Sequence, residues 1–167
     1  METQTEKQHS IRVEYAKQSP ALFRKYLEMS LATKDSSIEH GILALVDLRA
    51  SQLNGCAFCV DMHSKQAKIA GERELRLYHL PVWRESTLFS ERERAALEWT
   101  EALTKLPPHG VPDELFQKVR QQFSEQEISD LTFAIMVING WNRVSIGFAA
   151  VPGSQDKAYG LTKAGLN

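Results

Sequence analysis

Three times in this chain a serine stands three residues before a glutamate at the head of an apolar run. The pairs are Ser36 with Glu39, Ser90 with Glu93, and Ser124 with Glu127. This spacing is the capping box: the serine oxygen takes a backbone N–H of the first turn, and the glutamate reaches back to the serine's own N–H. Ser19-Pro20 supplies a further start, a capping residue before a proline at the first helical position, followed by "PALFRKYLEMSLA". The Ser36 box opens "IEHGILALVDLRASQL", in which Ile38, Ile42, Leu45, Leu48 and Leu53 fit a buried helix that ends at Asn54-Gly55. A helix from about Cys56 to Ala70 follows, stopped by Gly71, and a short one is expected over "ERELRLYHL" before Pro81. "ERERAALEWTEALTKL" and "PDELFQKVRQQF" are amphipathic, with "PPHGVP" as the break between them. "EQEISDLTFAIMVINGWNRVSIGFAA" is apolar around most of its circumference, which implies deep burial or a subunit interface. No segment alternates with period two for long enough to make a strand. The fold class is therefore all-α.

One domain is expected over residues 1–167, with a peripheral tail from about Pro152, because the chain has the length for one self-sufficient core and shows no linker or repeat. Twenty basic and twenty-one acidic residues give a formal charge of −1, which provides no electrostatic footprint for nucleic acid. The polar N-terminus "METQTEKQHSIRVEYAKQ" has no apolar secretory core. The longest charge-free apolar stretch, Leu131 to Asn142, has twelve residues and is too short to span a bilayer of about 30 Å. These features point to a cytoplasmic protein without a membrane partner. In that reducing compartment a lone C-x-x-C favours a catalytic or metal-binding role over a permanent structural disulfide.

The only two cysteines fall in "NGCAFCVDMHSKQA", three apart, with His63 four residues after the second. On a helix, Cys56, Cys59 and His63 share one stripe. The unpaired amides of the first turn favour a thiolate at Cys56, by about 0.3–1 kcal/mol. The imidazole of His63, one turn from Cys59, can take that thiol's proton directly, which favours Cys59 as nucleophile and Cys56 as resolving thiol. Two other readings of the same residues stand beside this one. A structural zinc site would have three ligands here and wants four. Two buried thiols can also act simply as small hydrophobes.

"LVDLRASQLNGCAFCVDMH" closely resembles the core signature of alkylhydroperoxidase AhpD-like proteins, within the carboxymuconolactone decarboxylase superfamily. The strong match covers residues 37–71; "SERERAALEWTEALTKL" and "INGWNRVSIGFAAVPG" extend it more loosely to Gly153. The resemblance implies an AhpD-like helical bundle that assembles as a homo-oligomer, a trimer or hexamer. It implies a dithiol enzyme that reduces hydroperoxides or disulfides without metal or organic cofactor, supplied with electrons by a lipoyl or thioredoxin-like thiol donor. In the family pattern the second cysteine attacks, the first resolves and the histidine joins a proton relay; these roles fall on Cys59, Cys56 and His63.

Two positions depart from the pattern. The relay glutamate twelve residues before the first cysteine is here Ala44, and a second histidine found in some members is here Phe58. His40 and Asp47 flank the stripe of Ala44, and Ser51 continues it toward the cysteines, so these three are the candidate replacements. Against that, Asp47 has a simpler reading as a residue paired with Arg49 or a neighbour on a solvated face, and His40 as a residue of the capping turn. With the glutamate missing, slow peroxide turnover with competent disulfide exchange is expected. Lactone decarboxylation and non-enzymatic redox sensing by an oligomer are the competing functions. Asn139, Trp141, Asn142 and Arg143 interrupt the last apolar helix and are expected to brace the redox helix or a subunit contact. Trp83 and Trp99 read as core or interface aromatics, and His79 and His109 have no spacing to either cysteine.

Overall fold

In the computed structural model, which describes residues 10–166, the regular structure is helical, with no strand among the described residues. The helices are α1 (Tyr15–Gln18), α2 (Pro20–Lys34), α3 (His40–Asn54), α4 (Ala57–Ile69), α5 (Glu74–His79), α6 (Glu91–Thr104), α7 (Asp113–Arg120) and α8 (Glu125–Gly147). Short 3₁₀ turns at Leu80–Val82 and Leu161–Ala164 complete the order. The first half of the N-terminal stretch read for a secretory signal lies outside the described residues.

Helix α3 is the axis of the bundle and packs against α4, α6 and α8. Its sequence explains why. Leu43, Val46 and Ile42 enter one apolar cluster with Trp99 of α6 and Leu131 and Ile135 of α8. Leu45 and Leu48 enter a second one, with Leu80, Trp83 and Leu97. A helix apolar on both sides can only be central. At about 1.5–3 kcal/mol for each large side chain fully buried, α3 contributes more to the core than its length suggests.

The capping boxes at Ser90/Glu93 and Ser124/Glu127 form in full. The one expected at Ser36/Glu39 does not. Helix α3 begins at His40, and the Ser36 hydroxyl donates to Thr33 O at 2.8 Å. Glu39 is instead gripped by Arg92 of α6 through contacts of 2.8 and 3.0 Å, and Arg92 also bonds Glu127 of α8 and the carbonyl of Gln122. A forked charge-assisted contact outcompetes a single bond to a backbone N–H. Its hydrogen bonds from Arg92 hold the Glu39 carboxyl below its ordinary pKa. Ser19 does precede α2, yet its hydroxyl makes no capping bond; its N–H closes α1 by donating to Tyr15 O at 2.9 Å.

The tail expected to be peripheral is docked. Leu161 and Ala164 are 4% exposed and pack against α4. Lys65 of α4, also 4% exposed, bonds Asp156 at 2.6 Å and Asp61 at 2.9 Å, and Asp61 accepts from the N–H of Gly153 at 3.0 Å. A buried ammonium needs such partners, and here one lies on α4 and the other in the tail. Of the last long helix, one face is core; Phe133, Met136 and Ile146 are about half exposed.

Candidate active site

The redox motif sits at a corner made by one glycine. Gly55 adopts a left-handed conformation (φ 68°), its N–H bonds Gln52 O, and the N–H of Cys56 bonds Ser51 O at 3.0 Å. This paired closure satisfies the last carbonyls of α3 and turns the chain at once into α4. Cys56 becomes the N-cap of α4, its sulfur accepting the N–H of Cys59 at 3.3 Å. The two sulfurs are bonded as a disulfide, with Cα atoms 5.3 Å apart. Both cysteines are 1% exposed. Only Cys59 lines a cavity of about 710 Å³; Cys56 lies behind it.

The cavity is enclosed by the segment before α2, by α2, α4 and α8, and by the docked tail. Phe58 and Met62 of α4, Phe23 and Leu27 of α2 and Trp141 of α8 make its wall apolar, and Tyr159 of the tail closes one side. A volume of this size suits an organic molecule rather than water alone. Trp141, expected as a brace, thus faces the cavity and packs edge-on against Tyr26 of α2, centroids 4.8 Å apart.

Polar chemistry enters from three helices. His63 stands one turn after Cys59, and its Nδ1 lies 2.9 Å from Gln66 Oε1 and 3.9 Å from Asp47 Oδ2. Asp47 is 7% exposed and its Oδ2 also bonds the Lys34 ammonium of α2. The solvated pairing with Arg49 is therefore corrected: Arg49 is held by Glu101 of α6 at 2.7 Å, and Asp47 points to the site. Burial pushes the His63 pKa below its ordinary value of 6.5; Asp47 opposes that, and Lys34 adds to it. At neutral pH the imidazole is consequently uncharged. With Nδ1 directed at the Gln66 oxygen, Nε2 is left as the proton acceptor.

The remaining candidates separate cleanly. Ser51 is fully buried, donates to Asp47 O at 2.7 Å and accepts from Asn142 Nδ2 at 3.0 Å. Its only proton is committed, so it braces the site and stays off the cavity wall. His40 is exposed at the start of α3 and does not line the cavity, so the relay place considered for it is withdrawn. Ala44 faces the cluster of Leu45, Leu48 and Trp83, not the cavity. Asn54 donates to Asn139 at 3.0 Å and to Asn142 at 2.8 Å, which fixes the α3–α4 corner against α8. The brace expected of Asn139 and Asn142 is thereby in place; Arg143 caps it through Asn139 O at 2.7 Å. Among the described residues no group of three or more His, Cys, Asp or Glu side chains is placed to share a metal ion. No helix among them is long and apolar enough to cross a membrane.

Lys34 and Gln66 are the site residues missed from sequence. Gln66 had a signal, since it follows His63 by three on a helix. Lys34 had none, because it comes from another helix, thirteen residues before Asp47.

A model of the Carboxymuconolactone decarboxylase family matches residues 20–102. The chain is 44% identical to the uncharacterised protein YdfG of Bacillus subtilis (strain 168) over 137 residues, covering 82% of this chain and 93% of that one. It is 43% identical to a crystal structure from Agrobacterium tumefaciens, of unknown function and suggested to be the antioxidant defence protein AhpD. That likeness has a TM-score of 0.82 and covers 86% of this chain and 98% of the other. The debrominase Bmp8 shares the fold alone, at 18% identity and a TM-score of 0.75 over 89% of this chain and 79% of that one.

Proposed function

The chain belongs to the carboxymuconolactone decarboxylase family, and we propose that it is a dithiol oxidoreductase that reduces hydroperoxides or disulfides through Cys59 and Cys56. The observation that carries this reading is a bonded cysteine pair of which one member, Cys59, opens onto an apolar cavity beside a largely covered histidine and a buried carboxylate.

In the reduced enzyme, neutral His63 accepts the Cys59 proton and leaves a thiolate. The thiolate sulfur attacks the distal oxygen of a hydroperoxide. An S–O bond forms, the O–O bond breaks, and the alkoxide leaves as alcohol with the proton held by the imidazolium. Cys59 is then a sulfenic acid, and the Cys56 sulfur displaces its oxygen as water to give the disulfide. Two thiols have been oxidised and one hydroperoxide reduced to alcohol and water. Two electrons and two protons from an external dithiol, of lipoyl or thioredoxin-like type, restore the thiols. No metal or organic cofactor enters these steps. Asp47 serves as the relay carboxylate, one helical turn from the position of Ala44.

The same proposal has the protein working in the cytoplasm, where such donors are held reduced. A trimer or hexamer is part of the same proposal; exposed Leu22 and Leu31 on α2 and Phe133 and Met136 on α8 support it.

The test is steady-state oxidation of dihydrolipoamide with and without cumene hydroperoxide. Many turnovers per subunit, lost in Cys59→Ser, are expected. A single stoichiometric oxidation would replace the enzyme with a redox sensor. Lactone consumption by a Cys56→Ser/Cys59→Ser double variant would replace it with a decarboxylase.

A further inference from the structure

Lys34 belongs to α2, outside the redox motif, and its ammonium bonds the same Asp47 oxygen that faces His63. The geometry points to a role: we propose that Lys34 is a positioning residue for the relay, fixing the Asp47 carboxylate toward His63 while sharing its charge. The inference rests on the dithiol reading and adds to it a residue from a different helix.

Three observations support it. An aspartate on α3 has a short side chain, and at 7% exposure it cannot turn out to water for a partner. Lys34 reaches it along the cavity wall with a side chain that is 43% exposed, so the ammonium approaches from the open side. One carboxylate oxygen shared between two basic groups cannot neutralise both fully, so the lysine restrains how strongly Asp47 favours imidazolium. The result is a histidine held by a carboxylate yet still uncharged and basic at neutral pH. Other groups bordering His63 or its cavity are Cys59 and Gln66 on α4, Glu14 and Tyr15 before α2, and Tyr159 of the tail. Among the described residues, Lys34 is the one lysine or arginine lining that cavity.

The two partners of the pair therefore act on His63 in opposite directions. Removing the cation leaves the carboxylate's pull opposed by burial alone, and removing the carboxylate leaves burial and the cation acting together.

The experiment is an NMR pH titration of the His63 ring in the disulfide form, with the signal assigned from a His63→Gln variant. Lys34→Met is expected to shift the His63 midpoint upward, Asp47→Asn to shift it downward, and Lys34→Arg to keep it near the wild-type value. In the reduced protein, the acid limb of Cys59 alkylation should move with the midpoint. A Lys34→Met midpoint that stays unchanged, or moves down as in Asp47→Asn, overturns the proposal. Melting temperatures accompany each variant; if Lys34→Met does not fold, Lys34→Gln takes its place with the same expected direction. The titration uses no peroxide and no turnover. A wild type that reduces neither hydroperoxides nor disulfides would refute the dithiol reading and leave this result to be read on its own.

Discussion

Asp47 Oδ2 lies 3.9 Å from His63 Nδ1, across the gap between α3 and α4. That distance is a charge contact, longer than a hydrogen bond. It places a buried carboxylate beside the histidine although the expected glutamate position is occupied by Ala44. Asp47→Asn should lower hydroperoxide turnover by about 10- to 100-fold. Its loss cannot exceed that of His63→Ala, which removes the whole acid–base contribution of about 10²- to 10⁴-fold. Steady-state kinetics of the two variants measure this. A smaller effect of His63→Ala than of Asp47→Asn would reverse their order in the relay.

Restoring the glutamate should not help. Ala44 packs with Val60 and Leu88 against the Leu45–Leu48–Trp83 cluster. Ala44→Glu puts a carboxylate among apolar groups and should cost about 1–3 kcal/mol of stability by urea titration, with no gain in turnover. A stable Ala44→Glu variant with faster turnover would show that the side chain finds the relay after all.

His63 also links stability to pH. Its folded pKa is depressed by burial below 6.5, so the folded state holds fewer protons than the unfolded one just below that value. Stability from the neutral imidazole is complete above about 6.5 and is lost as pH falls toward the lower folded pKa. Urea midpoints measured from pH 7.5 to 5 should fall for the wild type, with a shallower slope in His63→Gln. Parallel slopes would mean that burial does not lower the His63 pKa in the folded protein.

Much of the fold was legible because helix caps and apolar periodicity are local signals. Ser90, Ser124 and Gly55 each work within a few residues, and each does in the structure what its neighbours require. The Ser36 box failed because Arg92, more than fifty residues away, claims Glu39. The docked tail was hidden for the same reason: Lys65 reads as a surface lysine until Asp156 arrives from the far end of the chain. Cys56, Cys59 and His63 were visible as a spacing on one helix. The Asp47–Lys34 pair, joining α3 to α2, was visible only as a candidate at one end and not at all at the other.

The contact between α2 and α8 that carries Lys34 to the site tolerates no bulk at Gly140. A Cβ there would stand 1.8 Å from the hydroxyl oxygen of Tyr26, which donates to Val137 O at 2.8 Å. Gly140→Ala should destabilise the protein by about 1–3 kcal/mol through overpacking. Tyr26→Ala in the same chain should recover part of that, a non-additive pair in a double-mutant cycle. Additive losses would mean that the clash is relieved elsewhere.

The central claim is that Cys59 meets the peroxide and Cys56 resolves it. The most direct measurement is mass spectrometry of reduced Cys56→Ser and Cys59→Ser variants after one equivalent of cumene hydroperoxide, with a dimedone probe for sulfenic acid. The expected result is a dimedone adduct on Cys59 in Cys56→Ser and none on Cys56 in Cys59→Ser. An adduct on Cys56 formed at least as fast as on Cys59, or no adduct on either, would contradict it.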